Sequence, residues 1–243
     1  MIFRPLPFLE RLEAVARSGC PAFEFWRWQD KDLAAIGEKK EELGLQLAAF
    51  GAAGGTLLDP ANHQHYWETF AQAAEWARRL GCPNLIVTTG NTLPDVPREQ
   101  QLESLQRGLE GVAREAAAAG VVAVLEPLNT KVNHPGYFLD HAADAFRLIE
   151  AIGSPHLRVL YDIYHMQIMD GDIIQTITSN IEKIGHFHVA DVPGRHEPGT
   201  GELNYANILR RIDETGYRGF VGLEFLPSAD HAQSLQVVRS LAA

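Results

Sequence analysis

The chain has 243 residues, 46% of them hydrophobic, and a formal charge of -10, enough apolar side chain for one sizeable α/β core. The acidic balance argues against nucleic acid or an anionic membrane as the main partner, because binding phosphate needs concentrated Lys and Arg. No stretch reaches the roughly 18 apolar residues of a membrane span, and MIFRPLPFLERLE lacks the long uncharged core of a signal peptide. A cytoplasmic protein is therefore expected. Its two cysteines, Cys20 and Cys82, lie far apart beside prolines and read as reduced thiols.

In chain order, the sequence opens almost directly into a helix at about Pro5 to Ser18, with Phe8, Leu12 and Val15 on one stripe. A punctuation then recurs: a helical segment, a glycine, and a short β-rich run. It is seen at Gly19 (CPAFEF), Gly44 (LQLAAF), Gly81 (CPNLIVTT), Gly120 (VVAVLE), Gly153 (SPHLRVLYD), Gly185 (HFHVAD) and Gly216 (YRGFVGLEF). Tyr66, Phe70, Ala73, Ala77 and Leu80 make a second helical stripe, and Leu102, Leu105, Leu109 and Val112 a third. Alternation at this interval predicts βα units around a parallel sheet, in one domain spanning residues 1–243. The pattern gives seven strands but eight helices. A closed barrel of eight wants a strand before the first helix, and Met1 to Arg4 supply only a stub. The first strand is thus expected to be missing or truncated, leaving a cleft or an edge for another chain to cover.

Four donor side chains stand near the ends of four successive predicted strands: Glu126, Asp162, His188 and Glu224. Pro127 stops the ladder just after Glu126, and His188 shares a strand face with His186, opposite Phe187 and Val189. Singly, each has an ordinary role as a capping partner or a satisfied core group. Together, on one rim of a parallel barrel, they suit a hard or borderline divalent cation. Asp191 competes from the same strand as His188 but points to the other face. His165, just past Asp162, is placed to donate to a substrate oxygen. Arg195, in the loop VPGRHEPGTGELNY, offers a fork for a carboxylate, its alternative being a surface pair with Glu197. Trp26 ends the first clear strand and would wall a small substrate.

The stretches YDIYHMQIMDGD, KIGHFHVADVPGRHEPGTGELNY, GLEF and EPLNTKVNHPGYFL resemble the xylose-isomerase-like barrels, and within them the hydroxypyruvate isomerases. The resemblance runs from about Phe3 to Pro227. It implies a (β/α)8 TIM barrel and one divalent ion, Mg, Mn or Co, on Glu126, Asp162, His188 and Glu224. It also implies substrate contacts from His165 and Arg195. Two features depart from the pattern. The family's full first strand is absent, and His188 stands where those isomerases tend to carry glutamine and the ketose 3-epimerases carry histidine.

The expected activity is interconversion of hydroxypyruvate and tartronate semialdehyde through a metal-bound enediolate, with Glu126 and Glu224 as acid and base. A ketose 3-epimerase on the same ligands is the alternative. An inosose-dehydratase-like lyase and a non-catalytic sugar- or metal-binding protein stand behind it. A small-molecule substrate and further copies of the chain are the expected partners.

Overall fold

The structure, a computed structural model, describes residues 2–241. Seven strands form one all-parallel sheet in sequence order: β1 (Ala22–Phe25), β2 (Gln46–Gly51), β3 (Asn84–Val87), β4 (Val122–Leu125), β5 (Leu157–Asp162), β6 (Ile184–Val189) and β7 (Val221–Leu223). The helices are α1 (Phe8–Arg17), α2 (Leu33–Leu43), α3 (His63–Leu80), α4 (Arg98–Ala119), α5 (Ala142–Ile152), α6 (Ile163–Met169), α7 (Ile173–Asn180), α8 (Tyr205–Glu214) and α9 (His231–Leu241). One more helix is present than the sequence predicts, because Asp170, Gly171 and Asp172 break the segment after β5 in two.

Local chemistry explains most of the boundaries. β3 (NLIV) and β4 (VAVL) are short apolar runs covered on both faces, as parallel strands must be. α3 and α4 end where Gly81 and Gly120 take left-handed φ values of 65° and 71°. Gly185 departs from the expected punctuation. It lies inside β6, where an added Cβ would meet Val124 Cγ1 at 2.8 Å and Arg158 Cβ at 3.1 Å. Its small size serves close packing between strands, and it ends no helix.

Inside the barrel, Ala49, Ile86, Val124 and Leu160 form a buried apolar plug, one residue from each of β2 to β5. His186 of β6 pairs in register with Leu160 at the same level. Two residues further along a strand the side chain returns to the same face. Val124 is thus followed by Glu126, Leu160 by Asp162, His186 by His188 and Gly222 by Glu224. Fold geometry alone stacks a polar layer on the plug.

β1 and β7 are the ends of the sheet and do not pair. Among the described residues no strand precedes α1, and residues 2–6 form turns and a bend. Phe3 sits on the rim, stacked on His231 with ring centroids 5.3 Å apart. Below it, Phe8, Leu12, Phe23, Glu24, Gly222 and Leu235 line part of a cleft of about 740 Å³ along the open seam. No helix among the described residues is long and apolar enough to cross a membrane. Unpaired edges open more readily than interior strands. Amide exchange is therefore expected to be faster in β1 and β7 than in β3, β4 and β5. Equal protection across all seven would mean that the seam closes in solution.

Candidate active site and metal centre

Glu126 lies one residue past β4, its N–H still donating to Val87 O at 3.0 Å while Pro127 ends the strand. The side chain is buried, and neither carboxylate oxygen has a hydrogen-bond partner among the described residues. Burial pushes its pKa up to about 7; His188 opposes the rise, while Glu224 and Asp162 add to it. Asp162, the last residue of β5, also caps α6, its Oδ1 accepting the His165 N–H at 3.1 Å. Glu224 follows β7, and its Oε2 accepts Arg195 Nη2 at 2.7 Å.

Donor atoms of Glu126, Asp162, His165 and Glu224 all lie within 4.8 Å of one another. His188, expected as the fourth member, borders this knot. Its Nδ1 is 3.4 Å from Glu126 Oε1 and 3.3 Å from Glu224 Oε2, while its Nε2 faces Glu24 Oε1 at 3.3 Å. Burial alone would lower the His188 pKa, but Glu24, Glu126 and Glu224 together hold it well above the ordinary imidazole value.

The two imidazoles differ in which nitrogen faces the carboxylates of the site. The Asn129 N–H donates to His165 Nδ1 at 3.1 Å. Burial, then Arg195, lowers the His165 pKa to about 2, so the ring is neutral. With its lone pair on Nδ1, the ring carries its proton on Nε2, the atom 3.5 Å from Asp162 Oδ2. His165 thus presents a donor to the site, whereas His188 presents Nδ1 to two carboxylates.

The Arg195 loop is built around Asp191. Oδ1 of Asp191 accepts the N–H groups of Val192 at 2.9 Å and Leu203 at 3.1 Å, and Oδ2 accepts Gly199 N–H at 2.8 Å. That carboxylate is committed to the loop backbone. Arg195 has a left-handed φ of 58° and lies over the Tyr164 ring at 5.0 Å, with Nη2 3.9 Å from Asp162 Oδ2. Glu197, the alternative partner, instead accepts Ser228 and Ser234. Trp26 is 39% exposed and meets the His188 ring edge-on at 5.9 Å.

Several neighbours were not singled out from sequence: Glu24, Asn129, His134 and Tyr164. His134 packs against His165 at 5.3 Å, and Tyr164 donates to Asn133 Oδ1 at 2.8 Å. Glu24 did carry a signal, since AFEF repeats the pattern of GLEF in an earlier strand. Asn129 meets His165 Nδ1 through both its backbone N–H and its side-chain Nδ2, the latter at 2.7 Å, a contact that joins residues 36 positions apart.

The raised pKa of Glu126 makes a signed prediction for metal-free protein. Between the ordinary carboxylate range and about pH 7 the unfolded chain ionises at this position before the folded one, so stability falls as pH rises. Glu126→Gln removes that loss. Above pH 7 the variant is expected to be more stable than the parent by on the order of 1–3 kcal/mol, or several degrees in Tm, with the gap shrinking towards pH 4. A gap that does not change with pH in thermal melts would refute the assignment.

Comparison with known proteins agrees with this architecture. Residues 12–241 match the family model described as xylose isomerase-like TIM barrel. The chain is 33% identical over 243 residues to a 2-oxo-tetronate isomerase of Cupriavidus necator, covering 97% of this chain and 93% of that protein. It is 34% identical over 235 residues to a hydroxypyruvate isomerase of Escherichia coli, covering 93% and 91%. A crystal structure from Brucella melitensis described as an AP endonuclease, family 2, has a TM-score of 0.93 and 31% identity, covering 98% of this chain and 95% of that one. The chain belongs to the xylose isomerase-like TIM-barrel family, where its relatives include hydroxypyruvate and 2-oxo-tetronate isomerases.

Proposed function

We propose that this protein is a divalent-metal-dependent intramolecular isomerase of 3-hydroxy-2-oxo carboxylates, with hydroxypyruvate as the first substrate to test. The observation that carries the reading is Glu126, buried with both oxygens unbonded, beside Asp162, Glu224 and His188 Nδ1. Such a donor set fits a hard or borderline cation such as Mg, Mn or Co, held by Glu126, Asp162, His188 and Glu224. When bound, the ion supplies Lewis-acid polarisation of a substrate carbonyl.

The residues then divide the work. Arg195 takes the substrate carboxylate on its guanidinium, whose Nε has no partner among the described residues. His165 donates from Nε2 to the C2 oxygen and supports negative charge as it develops there. One glutamate removes the C3 proton, giving an enediolate across C2 and C3. The other returns a proton to C2 while the O3 proton passes to O2, so that a 3-oxo-2-hydroxy acid results. Glu126, buried beside His188 Nδ1 and Glu224, is placed to serve in one of these two roles. Trp26 covers the outer side of the site.

The named relatives favour this substrate class over the ketose alternative, since hydroxypyruvate and 2-oxo-tetronate are both 2-oxo acids with a C3 hydroxyl. The relative described as an endonuclease does not carry a nucleic-acid reading, because the chain's -10 charge and the carboxylate-rich mouth repel phosphate. The free thiols of Cys20 and Cys82 suit the cytoplasm.

Mn-loaded protein in deuterated buffer is expected to convert hydroxypyruvate and place deuterium at C2 of the product. Arg195→Gln should lower kcat/KM by about 10- to 100-fold, the worth of one charge-assisted hydrogen bond. Turnover of a ketohexose with none of either 2-oxo acid would replace this reading with the epimerase. Bound metal without deuterium exchange into any of these compounds would indicate a binding protein.

A further inference from the structure

Beneath the proposed metal site, His188 also belongs to a second polar cluster with Glu24 and His186, two residues that the reaction leaves unused. Glu24 stands in β1, where the pairing with β2 slips by one residue between Phe23 and Glu24 and sets Glu24 opposite Ala49. From there its carboxylate crosses to β6. Oε2 is 2.9 Å from His186 Nε2, and Oε1 is 3.3 Å from His188 Nε2. The two rings meet edge-on, with centroids 5.1 Å apart.

The crossing depends on β7. An added Cβ at Gly222 would lie 2.4 Å from Glu24 Oε1 and 2.7 Å from His188 Cδ2. Only a bare backbone at this position lets the carboxylate reach both rings. Glu24 Oε2 is hydrogen-bonded to His186 Nε2 and Oε1 faces His188 Nε2, one carboxylate oxygen to each ring, an arrangement suited to supporting the two imidazoles.

We propose that Glu24 is the positioning residue for His188: it holds the proton on Nε2 and turns the Nδ1 lone pair towards Glu126 and Glu224, where the metal binds. The proposal rests on the reading of Glu126, Asp162, His188 and Glu224 as metal ligands, and it adds the residue that orients the only imidazole among them. Gln in place of Glu24 offers one acceptor and one donor where two acceptors stood. One of the two rings must then give up its Nε2 proton, and the negative charge that makes the ligand more basic is lost.

Calorimetric titration with Mn²⁺ alone tests this, together with long-range ¹H–¹⁵N spectra of ¹⁵N-histidine-labelled, Zn²⁺-loaded protein. The parent chain is expected to bind one Mn²⁺, and Glu24→Gln to bind it about 10- to 100-fold more weakly. In the Zn²⁺-loaded parent, His188 should keep its proton on Nε2 and bind through Nδ1. No Mn²⁺ uptake by the parent would remove the metal reading itself. Uptake by the parent, with Glu24→Gln within twofold of it, would leave the metal reading and overturn only the role of Glu24. Two Mn²⁺ per chain would make Glu24 a ligand instead. If Glu24→Gln fails to fold, the parent spectrum alone decides, and His188 protonated on Nδ1 refutes the proposal.

Discussion

Three carboxylates within touching distance in a buried barrel mouth constrain everything around them. At 4.8 Å or less, each like-charged contact among Glu126, Asp162 and Glu224 is worth at least about 3 kcal/mol at an effective dielectric near 20. Repulsion of that size rivals the net stability of a whole domain, which is about 5–15 kcal/mol. The fold meets it from two sides. Arg195 is brought in from the loop after β6 to bind Glu224, and His188 is placed beside Glu126 and Glu224. Burial, with smaller contributions from Glu224 and Asp162, raises the Glu126 pKa to about 7, which lessens the charge gathered there. The arrangement costs stability and concentrates negative charge at one point of the barrel mouth.

That concentration rests on the architecture beneath it. Ala49, Ile86, Val124 and Leu160 fill the barrel and fix the level at which inward side chains emerge. Asp162 shows how one residue serves both layers: it ends a strand, caps a helix and faces the site. The Asp191 carboxylate accepts three backbone N–H groups, which spends a nearby acid on holding the Arg195 loop rather than adding a fourth negative charge.

Much of this was legible in the sequence because it follows from short-range rules. Apolar runs after glycines gave the seven strands, and counting helices against strands anticipated that no strand precedes α1 among the described residues. Residues at the ends of successive strands must share a rim, so Glu126, Asp162, His188 and Glu224 were readable as neighbours. Gly185 misled because a glycine needed for a close approach inside a strand looks the same in sequence as one that ends a helix. The break at Asp170–Gly171–Asp172 does carry a turn signal in the sequence, but the run around it reads as one helix. Glu24 lay furthest from reach. Its contact with His186 joins residues 162 positions apart, and it depends on the absent side chain of Gly222. No local pattern encodes which inward residue of an opposite strand will span a barrel.

The open seam has a consequence for traffic. A sealed barrel admits solvent only from its mouth, past the loops that carry Trp26 and Arg195. Here the flank cleft extends to Glu24, His188 and Glu224, the undersides of the groups gathered at the top. Among the described residues the site therefore has a second opening, on its flank. Closing loops over the mouth would shut out a bulky visitor, while hydronium and water retain a separate route to the acid that Arg195 holds.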